Sequence, residues 1–141
     1  MPTRQTTEQK RAKSAWDNLV EIEQIADKLA NRNEDQKLKE NYASLARRLP
    51  ALIQTNGLGQ ALAFLKAKGE NKPNKPQSLL YRHLSTRVFR QLTNSDNPQP
   101  LPGGRASTND LLEWLINSDS ATYRRATTEA LAYALWLRRF A

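Results

Sequence analysis

Residues 123–141 read YRRATTEALAYALWLRRFA. Advancing about 100° per residue brings Tyr123, Ala126, Ala130, Tyr133, Ala134, Leu137 and Ala141 onto one broad apolar side. The stretch reads as the bulk of a long helix running from about Asp119, and its alanines admit a close neighbour. Leu131 and Leu135 fall on the opposite side. Burial from two directions fits a helix at the centre of a bundle, and we favour that over a strip covered by a partner. Arg124 and Arg138 return to nearly the same side, roughly 21 Å apart along the axis. Arg125, Trp136 and Arg139 share an adjacent strip. Two arginine pairs with an aromatic between them suit a phosphate chain and a stacked base. Arg138 and Arg139 equally sit where cations complement a helix C-terminus.

The rest of the chain carries the same helical period. Thr6 and Gln9 are spaced as a capping box, in which each side chain satisfies a backbone N–H at the helix start. Behind them Ala12, Ala15, Trp16, Leu19, Ile22, Ala26 and Leu29 recur every three or four residues, which predicts a helix of about 25 residues. Asn33, answered by Gln36, is placed to cap a second helix with the stripe Leu38, Tyr42, Leu45 and Leu49. Pro50 lacks an N–H and disfavours helical geometry at Leu49, so a new short helix is expected there. It carries Leu52 and Ile53 and stops at Asn56-Gly57. A further helix is expected from Leu58 to Lys68, capped by Gly69, and another from Gln77 to Leu92. Pro98, Pro100, Pro102, Gly103 and Gly104 make 93–107 read as a flexible loop. A short helix with Leu111, Leu112, Leu115 and Ile116 precedes the last one. The expected fold is all-α: one domain over 1–141, a compact bundle of about six helices.

Composition narrows the function. The 141 residues include 22 Lys and Arg against 14 Asp and Glu, a net charge of +8. That balance favours an anionic partner, nucleic acid above all. Residues 66–90 hold Lys66, Lys68, Lys72, Lys75, Arg82, Arg87 and Arg90 against the single acid Glu70. No apolar run approaches the ~18 residues of a membrane span, and the polar start of the chain lacks a signal peptide. A cytoplasmic address is expected, without membrane contact. The absence of cysteine excludes disulfides, thiolate nucleophiles and cysteine-held metals.

No catalytic constellation assembles from the sequence. His83 is the only histidine, and one histidine without partners makes neither a metal site nor a proton relay. A structural role suits it better. Asp17 with Glu21, and Glu23 with Asp27, are carboxylate pairs one helical turn apart. They lack a third ligand for Mg²⁺ and read as a solvated face. Asn56-Gly57-Leu58-Gly59 followed by Lys66 lacks the Gly-Lys-Ser/Thr ending of a nucleotide loop and reads as a cap. No cofactor and no metal are expected.

Five phrases together carry a resemblance. They are Thr6-x-x-Gln9-x-x-Ala12, Leu49-Pro50-x-Leu52-Ile53-x-x-Asn56-Gly57-Leu58, and Gln60-Ala61-Leu62-Ala63-Phe64-Leu65 with Lys68-Gly69. The other two are Tyr123-x-x-Ala126-Thr127-x-Glu129-Ala130-Leu131 and Trp136-Leu137-Arg138-Arg139-Phe140-Ala141. In this order they resemble the small helical subunit family of the Cmr, or type III-B, CRISPR effector complex. The resemblance implies an all-α bundle without catalysis. It implies copies stacked head to tail in a filament beside the guide-RNA-binding subunits, with a basic face toward the target RNA. RNA cleavage in that family belongs to another subunit. Lys66, Lys68, Arg124, Arg125, Arg138 and Arg139 lie in or beside the matching phrases and are candidate RNA contacts. Arg47 and Arg48, before Leu49-Pro50, are weaker candidates, and Arg82 joins them from the 66–90 cluster. The alternative is a stand-alone helical regulator, which needs an exposed recognition helix, or a metal-dependent nuclease, which needs converging carboxylates.

Overall fold

The computed structural model describes residues 5–32, 37–95, 97–101 and 107–141. These form six helices: α1 (Thr7–Asn31), α2 (Leu38–Asn56), α3 (Leu58–Gly69), α4 (Pro76–Thr93), α5 (Leu111–Ile116) and α6 (Ser120–Phe140). Among the described residues the single extended pairing is an antiparallel bridge between Gln99 and Thr108. The fold is all-α, as the helical period predicts.

Local chemistry sets the helix ends. The capping box of α1 is complete: the Gln9 N–H donates to Thr6 Oγ1 at 3.1 Å, and the Thr6 N–H donates to Gln9 Oε1 at 2.8 Å. Asp119 caps α6 by accepting from the Thr122 N–H at 2.7 Å, and Asp110 caps α5. Pro76 opens α4, where its missing N–H costs nothing. Gly57 joins α2 to α3 at φ +85°, a backbone region that glycine adopts most readily.

Three boundaries differ from expectation. Helix α2 runs unbroken through Pro50. Pro50 costs one hydrogen bond, but its ring and Ala46, whose carbonyl it crowds, are both buried in the core, and packing outweighs the local penalty. Helix α2 starts at Leu38 with Lys37 as N-cap and no side-chain cap bond. Asn33 and Gln36, expected to cap it, lie outside the described residues. Gly69 is the last residue of α3 rather than its cap, and Glu70 takes the left-handed position at φ 51°. A side chain at 69 would strike the Ser78 hydroxyl, so close approach of α4 accounts for this glycine. Of the expected loop at 93–107, residues 96 and 102–106 lie outside the described residues, Pro102, Gly103 and Gly104 among them.

Helix α6 packs against α1, α2 and α4. Its buried face is Ala126, Glu129, Ala130, Tyr133, Ala134 and Leu137. The small residues let Ile22, Tyr42, Leu45, Leu49 and Leu84 close over it in one apolar cluster. The helix is central, but its second apolar strip is not closed by the chain: Leu135 stays 40% exposed. Trp16 breaks the expected stripe of α1 in the same way, at 60% exposure. It meets Phe140 edge to face, with ring centroids 5.4 Å apart.

One member of the buried face of α6 is charged. Glu129 is 2% exposed and receives the Arg11 guanidinium on both oxygens. Arg87, 6% exposed, brings its Nε within 3.4 Å of Glu129 Oε2, outside hydrogen-bonding alignment. Its terminal nitrogens donate to Ser14 Oγ and Gln91 Oε1. Arg87 is therefore an internal residue, not part of a basic surface with the rest of 66–90. Breaking a buried ion pair from one side strands the other charge. We expect Glu129→Ala to lower unfolding free energy by about 3–5 kcal/mol in urea titrations. Glu129→Leu combined with Arg87→Met should lose much less, because that pair leaves only Arg11, which can turn to water.

Candidate nucleic-acid interface

The expected RNA contacts do not gather in one place. Lys66, on α3, reaches across to the Asp110 carboxylate, which also takes the Tyr81 hydroxyl. Burial alone would raise the Asp110 carboxyl, but the Lys66 and Tyr81 hydrogen bonds outweigh it and hold its pKa below the usual value. Lys68 is exposed near the end of the same helix. Arg82 is exposed on α4 and pairs with Glu21 at 2.7 Å. Arg47 and Arg48 are exposed on α2, and Arg48 borders a hollow closed on its other side by Lys72 and Lys75.

The two arginine pairs of α6 have different neighbours. Arg124 and Arg125, near its start, open onto a hollow of about 440 Å³ shared with Arg11, Gln91 and Glu129. Arg138 and Arg139 are exposed near its end. Arg139 lies over the Trp136 ring at 5.5 Å, within cation–π range. The Trp136 indole donates to Glu8 Oε2 at 2.9 Å and its ring leans on Phe140. Trp16, Trp136, Phe140 and Arg139 thus form an aromatic corner, with Trp16 its most exposed ring.

A second hollow, of about 460 Å³, adjoins the first at Gln91 and is bordered by Lys10, Arg87 and Arg90. A smaller third continues it to Lys13, Ser14 and Asp17. Sequence reasoning passed over Lys10. A signal was there: α1 carries Lys10, Arg11 and Lys13 in its first two turns, where the helix dipole favours acids over cations.

His83 is structural. It is 3% exposed and hydrogen-bonded on both ring nitrogens, to Tyr42 Oη at 2.6 Å and to Glu21 Oε1 at 2.5 Å. The Glu21 carboxylate only accepts hydrogen bonds, so Nε2 carries the hydrogen and Nδ1 accepts from the Tyr42 hydroxyl. Burial pushes the imidazole pKa below its usual 6.5, against the pull of Glu21. Three of the four candidate carboxylates are tied to cations: Asp17 to Lys13, Glu21 to Arg82, Glu23 to Lys39. Among the described residues no three of His, Cys, Asp and Glu come together as a metal site. No helix of these residues is long and apolar enough to cross a membrane.

An all-helical fold with cations along its surface hollows defines only a broad structural class. Comparison with known proteins narrows it. Residues 7–141 match the family model described as CRISPR-associated protein (Cas_Cmr5). The chain is 32% identical over 100 residues to the CRISPR system Cmr subunit Cmr5 of Thermus thermophilus, covering 71% of each protein. The chain belongs to the Cmr5 family of CRISPR-associated proteins.

The His83 arrangement generates a pH dependence. A histidine whose folded pKa lies below its unfolded one binds fewer protons folded, so its contribution is full above the unfolded value of 6.5 and is lost as pH falls below it. With one histidine and no cysteine, no other side chain has an ordinary pKa in that window. Urea midpoints should fall from pH 7.5 to pH 5.5, and His83→Gln should flatten the profile. A wild-type midpoint constant over that range would contradict the assignment.

Proposed function

We propose that this chain is a non-catalytic small subunit of a type III-B CRISPR effector complex, stacking in a filament and holding guide–target RNA by its basic surface. The observation that carries the reading is the family match over nearly the whole chain. The relative's name as a Cmr subunit supports the assembly with other subunits, and a cytoplasmic address goes with it. Charge supports the RNA contact: guanidinium and ammonium groups at Arg124, Arg125, Arg138, Arg139, Lys68, Arg47 and Arg48 are exposed. Such groups hold phosphates without reading base edges. The tied carboxylates support an absence of nuclease chemistry. Trp16, Val20 and Leu135 are exposed apolar residues that copies of the chain could cover. A patch of that size gives weak association on its own.

Each phosphate neutralised on a single strand adds about 0.7 to the slope of log affinity against log salt. Replacing Arg124, Arg125, Arg138 and Arg139 by Ala should flatten that slope for the assembled complex by up to about 3 per copy facing RNA. Unrelated RNA sequences should weaken by similar factors. Melting temperature and helicity of the same variant separate this from loss of the α6 C-terminus. A folded, incorporated variant with an unchanged slope would exclude these arginines as RNA contacts. Sedimentation of the isolated chain at micromolar concentration should show mainly monomer; a tight dimer would contradict weak stacking.

A further inference from the structure

The hollow beside Arg48 has a chemistry of its own. It measures about 650 Å³ and lies between one face of α2 and the stretch 71–77, where the chain passes from α3 to α4. Asn41, Ser44, Leu45 and Arg48 line it from α2, at helical steps of three and four. Leu29 and Leu38 extend the apolar lining beside Leu45. The opposite wall is held by its backbone. Glu70 and Asn71 are consecutive non-glycine residues at φ 51° and 57°. The Lys72 N–H donates to the Gly69 carbonyl at 2.9 Å, and the Lys75 N–H to the Lys72 carbonyl at 3.1 Å. Pro73 and Pro76 fix φ at two further positions. A wall so fixed loses little freedom when a partner binds against it.

The polar side chains of the lining are uncommitted. Among the described residues, those of Asn41, Ser44, Asn71 and Asn74 make no hydrogen bond, and Arg48 pairs with no carboxylate. Gln77 lines the same wall, and its Oε1 is buried without a partner. A buried acceptor left unmet is costly. A carboxamide carries a donor and an acceptor side by side, the pair that a peptide group also presents. The carboxamides of Asn41, Asn71, Asn74 and Gln77 therefore match the backbone of an extended peptide. The leucines and prolines offer its apolar side chains a floor. Lys72 and Lys75 lean on the one carboxylate of Glu70, at 3.7 and 3.1 Å, which leaves Arg48 for an acid from outside. Nucleic acid fits this lining less well. No aromatic ring among the described lining residues is there for a base to stack on, and leucine offers nothing to a sugar–phosphate chain.

We propose that this hollow docks an extended, acidic peptide segment of another protein chain in the assembly. The carboxamides of Asn41, Asn71, Asn74 and Gln77 pair with its backbone, and Arg48 takes one of its carboxylates. The proposal rests on the reading of this chain as a subunit and goes beyond its RNA contacts.

The test uses the assembled complex, with a photoactivatable benzophenone side chain introduced at Ser44, which is exposed on the same face of α2 as Asn41 and Arg48. Irradiation should join this chain to one acidic segment of another subunit, identified by mass spectrometry of the crosslinked peptides. A synthetic peptide of that segment should then bind the isolated full-length chain. Arg48→Gln should weaken this binding about tenfold, and Asn41→Ala/Asn74→Ala by a similar factor. Replacing the acidic residues of the peptide by their amides should cost the wild-type chain about tenfold and the Arg48→Gln chain almost nothing. Arg124→Ala/Arg125→Ala, on the far side of the chain's cations, should bind the peptide as the wild type does. These are surface changes, so melting temperatures should hold, and the crosslink does not depend on them. The proposal is overturned if the crosslinks go to RNA, to residues 33–36 of the same chain or to a segment without acids. It is equally overturned if no crosslink forms, or if Arg48→Gln leaves peptide binding unchanged; in each of these cases the subunit reading stands. A wild-type chain that never enters the complex would sink both.

Discussion

Glu129 is the constraint on which the arrangement of the long helices depends. A carboxylate 2% exposed must find cations, and it finds Arg11 from α1 and Arg87 from α4. A buried charge without such partners costs several kcal/mol, so any sliding of α6 against its neighbours meets a steep penalty. Alanine packing alone is permissive: Ala126, Ala130 and Ala134 would accept helices at several offsets. The ion cluster selects one. A second polar run, from Asn18 through Tyr133, and from Tyr42 through His83 to Glu21, ties α1, α2, α4 and α6 at a different level. These bonds are directional and fully buried members have no water to substitute for a lost partner.

The same arrangement decides the surface. Because Glu129 draws Arg11 and Arg87 inward, the junction of α1, α4 and α6 is floored with cations. Because α6 is central, its Arg124 and Arg125 emerge at that junction, and its Trp136 and Phe140 emerge beside Trp16. The cations of that junction are thereby set apart from the aromatic corner, where Arg139 lies over Trp136. The family relationship places the chain among CRISPR-associated proteins.

Much of the fold was legible in the amino-acid pattern. Apolar stripes at three- and four-residue steps located the helices, because a helix that buries one face must repeat that way. Thr6 and Gln9 located the start of α1, and Asp119 that of α6. Pro50 misled, since local geometry argues for a break and only tertiary burial of the proline ring overrides it. Trp16 misled for a related reason: its position lies on the stripe, but the stripe is wider than the groove that receives it. For the candidate site, the types of residue were legible and their grouping was not. Arg124 and Arg138 share a side of one helix, yet the neighbours that complete a cleft come from α1 and α4, distant in sequence. Arg87 read as one of the basic 66–90 cluster and Glu129 drew no reading of its own, because nothing local marks a buried ion pair.

The 118-residue separation of Arg11 from Glu129 has a kinetic consequence. Helix α6 follows the other five, so α1 to α5 are synthesised before their central packing partner. Helices α2, α3 and α4 contact one another over short loops and can assemble early, since local contacts close at small entropic cost. Helix α1 cannot finish: Arg11 has only Glu8, and Arg87 waits without its carboxylate. The last helix supplies both the core face and the missing charge in one event. Completion of this fold therefore waits on its C-terminal segment, and a chain cut before residue 120 would lack both the central core face and the carboxylate that Arg11 and Arg87 share.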